Sequence, residues 1–338
     1  MRKLNLWLAA ALLVLAAACS KDDVVINSSA DQAWNMLAST GANVAMISQP
    51  SGDVVKNNFA QASGTITKMA TYGGRIYLLA KDDYKITVVD EVSGEQLAVL
   101  DFSASQLMPS AIAFANATDA YVAHENSDKI SLVDIYYNKV VRQINVGKNP
   151  TDLAYLASGY IAVTNSGSNS VSVINTKTYV KERDVATESV PSYVGATDSK
   201  GIFTIVCRGN GKDGSGEKTS GYVQFLDPAT GEITYTKEIK NTGMDGSEIT
   251  PRSLAINENG IAFIATNYAM YKLNTKLKSP VLSVVKRDDF AGVSFNYALQ
   301  EILVIKSDGT AYAADNTTAL KTYDLVLPGT FGAVLPLN

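Results

Sequence analysis

A turn anchor returns seven times along this sequence, and that repetition leaves few folds open. The anchors are Ser48 (SQPSGD), Asp90 (DEVSGE), Asp134 (DIYYNK), Asn175 (NTKTYV), Asp227 (DPATGE), Asn274 (NTKLKS) and Asp315 (DNTTAL), each ending an apolar stretch and opening a turn. Successive anchors lie 41 to 52 residues apart. The unit reads most plainly between Asn149 and Val180. A short apolar strand (153–156) turns at Ser158 and Gly159 into a second (160–164). A polar loop (165–169) follows, and then an alternating third strand (171–175) turns onto a fourth. Four short strands per ~40 to 50 residues, repeated seven times, predict an all-β, seven-bladed β-propeller. The widest interval holds one glycine-rich insertion, 209–219.

These residues also carry a resemblance. The stretch IAVTNSGSNSVSVINTKT (161–178) resembles the YVTN repeat of YncE-like seven-bladed propellers, and AYVAHENSDKISLVDI (120–135) is a second copy. The propeller is expected over 32–338. No inner strand precedes the first three strands expected from Trp34, while GTFGAVLPL (329–337) reads as an inner strand with no blade after it. The C-terminal strand is therefore predicted to close the ring inside the N-terminal blade. The later blades are expected to begin near Thr65, Pro109, Pro150, Pro191, Pro251 and Gly292, four of them on a proline whose fixed φ suits the turn.

The N-terminus reads as an export signal. Met1, Arg2 and Lys3 precede an apolar run (4–18) too short for a comfortable membrane span. It ends LAAAC, which resembles the lipobox of bacterial lipoproteins, and the resemblance implies that 1–18 is removed and Cys19 lipidated. Ser20, Lys21, Asp22 and Asp23 resemble the signal that sends Bacteroidetes-type lipoproteins to the outer face of the outer membrane; residues 19–31 would be a polar tether. Removing 1–18 takes the formal charge from −4 to −6. An acidic chain disfavours nucleic acid as a partner, since phosphate needs a basic face.

Reactive chemistry is sparse. The chain has one histidine, His124, and two cysteines, so after lipidation Cys207 has no disulfide partner; in IFTIVCRG it reads as a buried, inert thiol. No GxSxG, EF-hand or phosphate-loop motif is present. The reading is of a non-enzyme without a resident metal or cofactor. In an antiparallel blade the loops between blades and those joining second to third strands emerge on one rim. Candidate ligand-binding residues there are Tyr84, His124, Asn126, Asn149, Asn165, Tyr193, Arg208, Asn210, Arg252, Asn267, Tyr268 and Phe290, aromatic faces beside amide and guanidinium donors.

A lipid-anchored propeller with a surface-export signal is similar to the Bacteroidetes surface propellers that bind corrinoids (vitamin B12-like) and pass them to a TonB-dependent outer-membrane transporter. That resemblance implies a corrinoid held on the rim, with the transporter as partner. A ferric siderophore, haem or a glycan would suit the same rim. Two other classes fit a propeller: a protein-docking scaffold of the cell envelope, and a lyase or lactonase. The last would need a histidine or a carboxylate set converging on the axis.

Overall fold

The computed structural model describes residues 34–49, 53–209, 219–240, 248–296, 300–315, 322–325 and 333–337. The expectations for the signal segment, Cys19 and the tether, and for Asn210, lie outside these residues.

Seven four-stranded antiparallel sheets form the ring. The first blade holds β1 (Trp34–Thr40), β2 (Asn43–Gln49) and β3 (Val54–Gln61). The second is β4 (Lys68–Tyr72), β5 (Arg75–Ala80), β6 (Lys85–Asp90) and β7 (Gln96–Asp101); the third is β8 (Pro109–Phe114), β9 (Asp119–His124), β10 (Lys129–Asp134) and β11 (Lys139–Asn145). The fourth is β12 (Pro150–Leu156), β13 (Tyr160–Asn165), β14 (Ser170–Asn175) and β15 (Val180–Ala186). The fifth is β16 (Pro191–Thr197), β17 (Ile202–Cys207), β18 (Gly221–Asp227) and β19 (Glu232–Ile239). The sixth is β20 (Pro251–Ile256), β21 (Ile261–Thr266), β22 (Ala269–Asn274) and β23 (Ser283–Arg287). The seventh is β24 (Phe290–Asn296), β25 (Glu301–Lys306), β26 (Ala311–Asp315) and β27 (Thr322–Leu325). The chain ends in β28 (Val334–Pro336).

The ring closes as expected. β28 is the innermost strand of the first blade and pairs antiparallel with β1 through Leu37↔Leu335 and its neighbours. Ser39 donates its N–H to the Ala333 carbonyl (2.9 Å), and Leu337 donates to Asn35 (3.1 Å). Inner strands start at Lys68 and Phe290 in the second and seventh blades, three residues later and two earlier than the expected Thr65 and Gly292.

The recurrent anchor is an Asx turn. The Asp134 carboxylate accepts the N–H groups of Tyr136 (2.9 Å) and Tyr137 (3.0 Å). Asp90, Asn175 and Asp227 each take two N–H groups in the same way, and Asn274 takes that of Lys276. A short side-chain acceptor satisfies the donors that a tight turn exposes, which is why Asp and Asn serve alike. Between anchors the third strands are apolar on both faces because each blade is packed on both sides. On β14, Val171 and Val173 enter the core shared with the fifth blade, and Ile174 enters that shared with the third.

Candidate functional site

The inner strands carry a repeated irregularity where they begin. In five blades the pairing with the second strand slips between the first residue and the third: Pro109/Ala111, Pro150/Asp152, Pro191/Tyr193, Pro251/Ser253 and Phe290/Gly292. In four of the five the first residue is a proline, which has no N–H for the ladder, so pairing is weakest there and one extra residue is accommodated; the seventh blade slips at Phe290 without one. The bulged residues are Ser110, Thr151, Ser192, Arg252 and Ala291, and all five line a channel along the propeller axis. Ser110 Oγ donates to the Pro150 carbonyl (3.0 Å), Thr151 Oγ1 to Pro191 (3.3 Å) and Arg252 Nη1 to Phe290 (3.2 Å). Each joins its blade to the next, so these three bulges link neighbouring blades around the channel.

A second ring sits on the same mouth. The residue following the second strand donates its backbone N–H to the residue before the inner strand: Glu125 to Met108 (3.0 Å), Ser166 to Asn149 (3.0 Å), Arg208 to Val190 (2.8 Å), Asn267 to Thr250 (3.3 Å) and Ser307 to Asp289 (3.0 Å). Of these, Glu125, Ser166, Arg208 and Ser307 line the channel, with Lys81 in the second blade. The mouth is laced by ion pairs: Lys68 with Asp152 (2.8 Å), Lys81 with Glu125 (2.9 Å), Arg252 with Asp289 (2.7 Å), and Lys306 with Asp288 (3.1 Å) and Asp308 (3.2 Å). Asp152 is the least exposed carboxylate among them, and its second oxygen accepts the Val194 N–H (3.2 Å), tying the second, fourth and fifth blades together.

Below the mouth the lining changes. Inner strands run away from the mouth, so later residues lie deeper: from Arg252 to Ile256 is roughly 13 Å at ~3.3 Å per residue. The deeper wall includes Met69, Ala154, Leu254, Ile256, Val293, Phe295 and Leu335. The whole channel encloses about 1060 Å³, just above the usual range for ligand cavities.

Of the twelve rim candidates, the channel brings three together: Tyr193, Arg208 and Arg252. Burial raises the Tyr193 phenol above its ordinary pKa, and the positive charges of Arg208 and Arg252 oppose that. Arg252 is held by Asp289 and by Ser307 Oγ (2.5 Å).

The others stand elsewhere, for identifiable reasons. His124 and Asn165 are corrections: each is the last residue of a second strand and fully buried, as are Ala80, Cys207 and Thr266 at the same position. Strand alternation turns this position into the interblade core and the next residue to the mouth, so Glu125 and Ser166 hold the places expected of His124 and Asn165. His124 Nε2 lies 2.8 Å from Ser131 Oγ, its ring meets Phe102 at 4.8 Å, and burial alone lowers its pKa to about 4. Asn165 donates to Ser172 Oγ (3.0 Å), and the Cys207 thiol, pushed up to about 12 chiefly by burial, faces Gln224. Phe290 is a further correction, fully buried in the core of the sixth and seventh blades.

Asn126 and Asn267 are staples. Asn126 accepts the Met108 N–H (2.9 Å) and donates to the Gln106 carbonyl (2.7 Å); Asn267 accepts from Thr250 (2.6 Å) and donates to Glu248 (2.6 Å). Tyr84 and Asn149 take positive φ (58° and 51°) and shape their loops through the backbone. Tyr84 packs on the core between the second and third blades, and Tyr268 on that between the fifth and sixth. The sequence reading missed Thr151, Asp152, Ser166 and Ser192. Their signal is positional: the residues after each inner-strand proline, and the residue after each second strand.

The chain matches no protein-family model and no curated protein. It is similar in structure to solved chains of several proteins. Kuenenia stuttgartiensis hydrazine synthase is 16% identical (TM-score 0.63, covering 74% of this chain and 76% of that one). A chain of the mitotic checkpoint complex is 12% identical (TM-score 0.65, 90% and 97%), and the Dos1 propeller 14% (TM-score 0.61, 88% and 78%). At such identities the shared property is the fold, and this chain is a seven-bladed β-propeller.

Proposed function

We propose that this chain is a YncE-like surface lipoprotein that captures a ligand at the mouth of its axial channel and delivers it to a TonB-dependent transporter. A corrinoid is the first ligand to test. The observation that carries the reading is the convergence of Tyr193, Arg208 and Arg252, from two adjacent blades, on one channel of about 1060 Å³. Concave volume with a few fixed polar groups is what small-molecule recognition requires. Lipid anchoring is supported by LAAAC at 15–19 and by Lys21, Asp22 and Asp23 after it.

The test is calorimetric titration of the purified protein with cyanocobalamin, paired with the shift in thermal midpoint. A ligand at ~100 times its Kd raises the stability of the native state by roughly 2.7 kcal/mol. One saturable site, weakened when Tyr193 or Arg208 is replaced by Ala, supports corrinoid capture. No heat and no shift reject it, and ferric siderophores, haem and glycans follow in the same assay. A second reading, protein docking in the envelope, is favoured by one surface: Tyr136 (65% exposed), Tyr137 (74%) and Val141 (58%) stand on the outer part of the third blade.

A further inference from the structure

We propose that Arg208 is the anion-recognition group of the channel, taking a ligand that presents a carboxylate at the mouth and extends an apolar body into the throat. The inference rests on the reading above that the channel holds a ligand, and it names a chemical class other than the corrinoid, whose side chains are amides.

Three observations carry it. The first is the division of the channel wall along its length. The two rings at the mouth, Ala291 apart, are hydroxyls and charges, whereas the wall beneath carries Met69, Ala154, Leu254, Ile256, Val293 and Phe295, beside a few polar groups such as Tyr155 and Asp198. A wholly polar ligand would leave that wall wet, and a wholly apolar one would strip water from the charged mouth without replacing its hydrogen bonds.

The second is the accounting of cations. Lys68, Lys81, Arg252 and Lys306 each face a carboxylate within ion-pair distance. Arg208 also lines the mouth and is exposed, yet no carboxylate among the described residues lies within ion-pair distance of it. Its planar guanidinium can grip a carboxylate with two parallel N–H donors, which a lysine cannot. The clasp from its backbone N–H to Val190 (2.8 Å) fixes where the side chain starts, and the half-buried Tyr193 on the same blade supplies a phenol beside it.

The third is space left on the wall two blades away. A Cβ added at Gly292 would meet nothing within 4 Å, and Ala291 before it is the smallest of the bulged residues. Open space on a channel wall is what an occupant fills.

Sodium octanoate and octanol, which share an apolar chain and differ in the anionic head, separate the two halves of the inference. Calorimetry of the purified protein near neutral pH is expected to show one octanoate site, with octanol binding roughly ten- to a hundredfold more weakly, the range for losing one charge-assisted hydrogen bond. Arg208→Gln lowers octanoate to the level of octanol and leaves octanol unchanged. Ala154→Phe, which narrows the throat, weakens both. Unchanged thermal midpoints show that the variants are folded. Equal binding of the two probes, or octanoate binding unaffected by Arg208→Gln, overturns the anion site while leaving the channel a binding site. Binding of neither probe also overturns it, and the cyanocobalamin titration then decides the capture reading on its own.

Discussion

Replacing His124 by Asn transplants into the third blade the residue that the fourth carries at the same position, where Asn165 faces Ser172 as His124 faces Ser131. The exchange removes a titrating group while keeping a polar side chain against a serine. His124 has an ordinary pKa of 6.5 and is lowered to about 4 in the folded protein by burial. The native state therefore prefers the neutral imidazole, and the unfolded chain binds the proton first. The group leaves stability intact above pH 6.5 and erodes it as pH falls from 6.5 toward 4. At about 1.4 kcal/mol per unit, the full window is worth about 3 kcal/mol, a sizeable part of a typical domain's stability of ~5–15 kcal/mol. Urea denaturation at a series of pH values across that window gives the unfolding free energy of each protein. Carboxylate titrations common to both cancel in the difference. The wild type is expected to lose about 3 kcal/mol more than His124→Asn over the window. Parallel curves would show that the imidazole is not held neutral, and would refute the argument from burial.

Deleting residues 333–338 removes β28 and with it the hydrogen bonds Ser39–Ala333 and Leu337–Asn35, and the Ala333 N–H to Ser39 Oγ (3.0 Å), as well as the partly buried Leu335 and Leu337. At about 1 kcal/mol for each bond and each half-buried leucine, roughly 5 kcal/mol is lost; an unchanged urea midpoint would contradict the ring closure. Asp134→Ala, which leaves two turn N–H groups to water, is expected to cost about 1 kcal/mol in the same assay, and Asp134→Asn much less, since Asn175 and Asn274 anchor their turns as amides. Cys207, fully buried and raised to about 12, should resist a thiol reagent in the folded protein and react once urea unfolds it; rapid native labelling would be inconsistent with this packing.

The fold was legible because its signals are local. An Asx turn needs only one short side chain and the next few N–H groups, so its recurrence could be read from Asp90 to Asn274 without tertiary information. Ring closure followed from an unpaired first blade and a spare strand at the end. The site was harder to read, because its membership turns on single residues. His124 and Asn165 are polar and end a strand beside a loop, yet alternation sends them inward and gives the mouth to Glu125 and Ser166. Nothing in DAYVAHEN itself settles which of two adjacent residues faces the axis; the register against β8 and β10 does. The bulges that aim Thr151, Ser192 and Arg252 likewise arise from pairing, although the prolines beside them mark where to look.

The closure of the first blade also sets a polarity for the whole particle. Because β28 runs from the mouth like every inner strand and β1 lies antiparallel to it, Trp34 enters the ring at the face opposite the mouth. A propeller tethered there to a membrane would stand with its opening toward the surroundings, like a cup on a stem, and a transporter collecting its cargo would have to approach from above or wait for the cup to tip.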